Sequence, residues 1–176
     1  MASQFCDVHA ADFVQLECGT ELGGFPWFAI IDATETPTIE QLREPTFWTS
    51  KFNASPQAYR LITDARGSYP GGTPVEEDGY GTVPIIRTGA DHEITGQVRG
   101  LLSNRDFWAA VNQTNKWNFV AVTKGHIGLY VNNVSIYAKI EVDQSIKSTT
   151  RWGVSVKWSD DLSNPIVFNA PPSIFV

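Results

Sequence analysis

Two stretches of strict two-residue alternation constrain this chain more than any other feature. Val134, Ile136, Ala138, Ile140 and Val142 fall on one phase, with Ser135, Tyr137, Lys139 and Glu141 on the other. Trp152, Val154, Val156 and Trp158 repeat the pattern. A period of two sends successive side chains to opposite faces of a pleated ribbon, so each stretch predicts a strand with one phase buried. The second apolar set is expected to pack against Ile136, Ala138 and Ile140. Other strands are expected at 27–31, at 83–87 and 92–99 with a break at Thr88-Gly-Ala-Asp91, at 117–123, and at 127–131. Lys124-Gly125 connects the last two of these, and Asn132-Asn133, which tolerates positive φ, predicts a tight hairpin into 134–142.

Helical signals are fewer. Thr38 stands three residues before Gln41, a capping-box spacing that predicts a short helix through Leu42. Pro45 suits the first turn of a second, carrying Phe47, Trp48 and Phe52 and ended by Pro56. Ser103-Asn-Arg-Asp106 is another capping-box-like start, and Phe107, Trp108 and Val111 then give the main packed helix, to about residue 115. Between these elements, residues 64–82 hold five glycines, two prolines and the run Glu76-Glu77-Asp78, with almost no periodicity. That predicts a long Gly/Pro-rich loop, of a length that in a compact domain usually serves a function. The expected fold is mainly β: an antiparallel sandwich or barrel with one packed α-helix and a long loop, in a single domain over 1–176 whose N-terminal segment, 1–24, holds both cysteines. A chain of 176 residues buries enough surface to fold without disulfide or metal.

The formal net charge of −6 disfavours a grip on phosphate backbones, so sequence-specific nucleic-acid binding is not expected. No run approaches the roughly 18 apolar residues of a membrane-crossing helix, and the first residues lack a basic start followed by an apolar run. The chain is therefore expected to be made in the cytoplasm, with Cys6 and Cys18 reduced.

Candidate chemistry is sparse. Cys6-Asp-Val-His9 with Cys18 supplies three metal ligands, and His92 or His126 a fourth, but a zinc site calls for paired C-x-x-C or C-x-x-H units and only one is present. No metal or cofactor is expected; a disulfide between the two cysteines is the other alternative to free thiols. There is no G-x-S-x-G; Gly67-Ser68-Tyr69 is the nearest pairing. His92, between Asp91 and Glu93, is expected to be a hydrated surface residue. Glu76-Glu77-Asp78 and Asp160-Asp161 read as solvated acidic faces, and Gly71-Gly72 and Gly79-Tyr80-Gly81 as turns. Six tryptophans raise carbohydrate binding through exposed rings as an alternative function, although Trp27, Trp108, Trp152 and Trp158 all occupy positions expected to be core. The remaining reading is a non-enzymatic, self-associating protein whose 64–82 loop, with Tyr69 and Tyr80 as aromatic anchors and Glu76, Glu77 and Asp78 at a rim, acts in assembly.

Several phrases together, Leu42-Arg-Glu-Pro-Thr-Phe-Trp48, Arg66-Gly-Ser-Tyr-Pro-Gly-Gly-Thr-Pro74, Trp152-Gly-Val-Ser-Val-Lys-Trp-Ser159 and Ala170-Pro-Pro-Ser-Ile-Phe175, resemble the layout of small structural proteins from the virions of tailed bacteriophages. The resemblance spans residues 25–175 and implies a component similar to tail-tube or head–tail proteins. Its implied partners are copies of itself in rings or stacked rings, other virion proteins, and DNA only in passing. It implies a place in the virion, and an acidic conduit would let DNA slide without sticking.

Overall fold

The structure, a computed structural model, describes residues 24–79, 81, 85–114, 116–142, 144, 150–160 and 165–176. The chain is mainly antiparallel β, as the alternation predicts. Strand β1 (Trp27–Asp32) is followed by two short helices, α1 (Ile39–Arg43) and α2 (Pro45–Phe52). Then come β2 (Tyr59–Ile62), β3 (Ala65–Ser68), β4 (Thr73–Asp78) and the long β5 (Ile85–Val98). Helix α3 (Arg105–Gln113) precedes β6 (Trp117–Val122), β7 (Ile127–Glu141), β8 (Arg151–Asp160) and β9 (Ile166–Asn169).

Hydrogen bonding runs β2-β1-β6-β7-β8-β5-β3, with β4 added to β5 and β9 to β7. The two ends of this path are consecutive in the chain, separated only by Thr63 and Asp64, the latter at φ 62°. Phe25 and Gly67 exchange backbone hydrogen bonds at 3.0 Å each, and the Ala65 N–H donates to the Pro26 carbonyl at 2.9 Å. The sheet thus curls into a barrel-like form in which β3 reaches the segment before β1, while its nine described strands remain one open sheet, in keeping with the mainly β expectation. Gly67 and Gly96 face each other in that seam, and a Cβ on either would lie within 2.7 Å of the Phe28 ring. Their lack of a side chain lets the barrel close over Phe28.

Two clusters form the core. The inner one joins Phe28 and Ile30 of β1, Phe119 and Ala121 of β6, the inward phases of β5, β7 and β8, and Trp108 and Val111 of α3. Trp152, Val154, Val156 and Trp158 are all buried here with Ile136 and Ala138, as expected. The second cluster lies on the other face of β1 and β6, where Ala29, Ile31, Val120 and Val122 pack beneath Leu42, Trp48, Phe168 and Phe175. Covered on both sides, β1 and β6 read as continuous apolar runs. The α1 capping box forms as its spacing predicts: the Thr38 hydroxyl accepts from the Gln41 N–H, and the Gln41 side chain accepts from the Thr38 N–H.

Several expectations are corrected. Asn132-Asn133 makes no hairpin: β7 passes straight through, with Val131 opposite Phe119 and Val134 opposite Trp117. Two residues therefore oppose Asn118 alone, a bulge in which Asn133 takes φ 53° and donates its N–H to the Asn118 carboxamide oxygen at 3.0 Å. The propensity of Asn for positive φ is used, but to redirect a strand and not to end it. Thr88–Asp91 is likewise no break, since β5 is continuous, with Gly89 approaching the Asp160 carbonyl too closely for any Cβ. Ile140 is on the predicted phase yet 56% exposed, because β7 outruns the core by one turn of the pleat. Trp27 is half-buried, not core. Helix α3 starts after Asn104 with no side-chain cap bond, so the Ser103 box does not form. Among the described residues the helices are the one main and two short ones expected, in the expected places. The predicted loop at 64–82 is largely strand: β3 pairs with the C-terminal half of β5 and β4 with its N-terminal half. The physical reason lies in β4 itself, whose six residues are all exposed, so no buried phase marks the sequence.

Candidate functional site

The β4–β5 hairpin is the feature of this fold that the core does not explain. On β5, pairing with β8 runs from Val98 opposite Trp152 to Ala90 opposite Asp160. Beyond Ala90, Ile85–Gly89 pair only with β4 among the described residues, and the outer edge of β4 has no strand beside it. Among the described residues this is an arm projecting from one end of the curled sheet, with both its edges unpaired. Pro74 interrupts the outer edge, a device that blunts uncontrolled pairing, and Thr88 is the extra residue of a bulge on β5, between Gly89 opposite Val75 and Arg87 opposite Glu76. Val75, Ile85 and Ile86 are exposed on it, and Glu76, Glu77 and Asp78 line its tip with Arg87, whose guanidinium is 3.2 Å from Glu76. Tyr80 lies outside the described residues, as do Cys6, His9 and Cys18.

Tyr69 is at the root of the arm and is turned inward. Its hydroxyl lies 2.6 Å from His92 Nδ1, and His92 Nε2 lies 3.2 Å from Asp160 Oδ1. His92 is 4% exposed, which corrects the expectation of a hydrated surface residue; its neighbours Asp91 and Glu93 point to the opposite face. An ionised carboxylate only accepts, so the His92 Nε2–H donates to Asp160, and in the neutral ring Nδ1 accepts the Tyr69 proton. The imidazole stacks on Trp158 with centroids 4.9 Å apart and planes 2° from parallel. On its other side a Cβ at Gly72 would come within 2.3 Å of the ring, so only glycine lets the Pro70-Gly71-Gly72 strap cross here. Burial, and secondarily the charge of Asp160, push the Tyr69 phenol above its ordinary value. It stays protonated and serves as a donor, which fits a lock between arm and barrel better than a nucleophile.

Of the predicted assembly residues, the structure brings Glu76, Glu77 and Asp78 together on the arm, while Tyr69 spends its hydroxyl on His92. Sequence reasoning missed His92, Asp160 and Gly72 because the chain separates them widely; an inward-phase histidine on β5, between Ala90 and Ile94, was the one available signal. No group of three His, Cys, Asp or Glu side chains is placed to hold a metal among the described residues. None of the six tryptophans is exposed. Among the described residues no helix is long and apolar enough to cross a membrane. The chain matches no protein-family model, and no curated protein or solved structure matches it either.

Proposed function

We propose that this chain is a non-enzymatic structural protein that assembles with copies of itself into a bacteriophage virion, in a tail-tube or related head–tail role. The observation that carries the reading is the arm: a hairpin whose outer edges no described residue pairs, with exposed Val75, Ile85 and Ile86, built onto a curled sheet that does not need it for its core. Exposed edges of this kind are templates to which a strand of a neighbouring chain can add. The net charge of −6 supports a role beside DNA without holding it, and the resemblance to tailed-phage structural proteins points the same way. Other virion proteins are its remaining partners, and the virion, after synthesis in the host cytoplasm, its location.

Thr73 and Asp91 face each other at the arm's root, so an Asn-Gly turn can join them and remove the hairpin between. Light scattering and negative-stain microscopy of parent and armless protein test the reading. Rings, tubes or concentration-dependent oligomers in the parent, lost in an armless variant that melts normally, support it. Normal assembly without the arm overturns the role of the arm. Carbohydrate binding has narrower support, a groove of about 330 Å3 on the outer sheet face beside Tyr137, which is 59% exposed; glycan-array binding by a strict monomer would favour it.

A further inference from the structure

The arm's acidic tip has a counterpart at the other end of the same strand. Arg99 follows the last residue of β5, Arg66 is in register with Gln97, and Arg151 opens β8 beside them. With Asp64 they line a notch where three guanidinium groups outnumber two nearby carboxylates, Arg99 lying 3.6 Å from Asp64 and Arg151 4.0 Å from Glu141. The tip shows the inverse, three carboxylates around Arg87. Among the described residues Glu77, Asp78 and Arg66 form no ion pair. The fourteen residues of β5 separate the two features, roughly 45 Å at about 3.3 Å per residue, so a tip cannot reach its own notch.

We propose that the acidic tip of one copy docks in the arginine notch of the next, joining copies head to tail. This rests on the self-assembly reading and names the surfaces that meet. Tip-to-tip and notch-to-notch contacts oppose like charges, whereas a tip-to-notch contact matches opposite charges; a reciprocal two-fold pair stops at the dimer, and the head-to-tail contact proposed here propagates into rings or filaments, so association that stops at the dimer overturns it. Because both features are exposed, the contact is salt-sensitive.

The test reverses each feature separately, with E77K/D78K at the tip and R66E/R99E at the notch, leaving the in-chain partners Glu76 and Arg87 untouched. R66Q/R99Q serves as a second notch variant should the reversal impair folding. Sedimentation velocity at low and high salt reads the outcome, with circular dichroism melting as the control for folding. Each variant alone is expected to self-associate about tenfold more weakly or worse, and an equimolar mixture of the two reversals to recover association, since each then offers the other a matching charge. Parent-like association of either folded variant overturns the contact, as does a mixture that fails to recover. So does a notch variant that loses only affinity for a DNA duplex. A parent that stays monomeric at every concentration overturns the assembly reading itself, a result distinct from these.

Discussion

Asn112 of α3 pairs with the backbone of Ala138 on β7 as another strand would: its Nδ2–H donates to the Ala138 carbonyl, and the Ala138 N–H donates to its Oδ1, both at 2.8 Å. At this point β6 has already parted from β7, whose side away from β8 has no strand neighbour beyond Val134 among the described residues. One carboxamide therefore closes the edge and also holds α3, with Trp108 and Val111, against the inner core.

Asn112→Ala removes both bonds at once. It is expected to cost about 1–3 kcal/mol, because a peptide group that had partners loses them without gaining full access to water. Urea denaturation measures it. A change under a few tenths of a kcal/mol would mean that water replaces the carboxamide without loss.

Trp158 is inward on β8 and also forms the floor under His92. Trp158→Ala is expected to destabilise by about 3–5 kcal/mol. Tyr69→Phe keeps the ring but leaves His92 Nδ1 without its donor, expected at about 1–3 kcal/mol. The double variant should fall short of the sum, since both act on one stack; a double-mutant cycle checks this.

Gly72→Ala is a sharper probe of the arm's root. The added methyl would overlap the His92 ring, so the strap must lift. The expected result is a protein with its barrel melt lowered and with faster amide exchange in the 69–73 strap, while Gly71→Ala, whose Cβ meets open space but whose φ is 99°, acts through backbone conformation alone.

Glu35 gives a pH signature. Lys51 donates to its carboxylate at 2.7 Å and Tyr59 at 3.3 Å. The Lys51 hydrogen bond leads in holding Glu35 below its ordinary value of 4.5, against an opposing contribution from burial. A depressed acid contributes stability that is present above the unfolded value and lost as pH falls through the folded one. The parent should therefore lose more melting temperature than Glu35→Gln on descending below about pH 4.5, with the two curves parallel near neutrality.

A chelator-treated sample is expected to melt as the untreated protein does, the core being large enough by itself. Stoichiometric zinc whose removal unfolds the chain would instead assign a ligand role to Cys6, His9 and Cys18.

What the sequence disclosed follows from where each strand lies. On β8 only one face is buried, so Trp152 to Trp158 announced themselves by alternation; α1 announced itself through a capping box that needs just two residues. β4 is wet on both faces, which left glycine, proline and acid content to suggest a loop. Asn132-Asn133 was misread because positive φ serves a bulge as well as a turn, and only the register of β6 distinguishes them. Tyr69, His92 and Asp160 come from three segments that β3–β5 and β5–β8 pairing bring together, a meeting no local pattern encodes.

The continuity of β5 has a mechanical consequence. Arm and barrel wall share one continuous strand, bulged at Thr88, and a pull on the tip along the strand is carried into the β5–β8 ladder. Loaded in that direction the ladder resists in shear, its rungs sharing the force, whereas a sideways pull would peel β4 away rung by rung. The fold is stiff along one axis and yielding across it, as a tie-rod is.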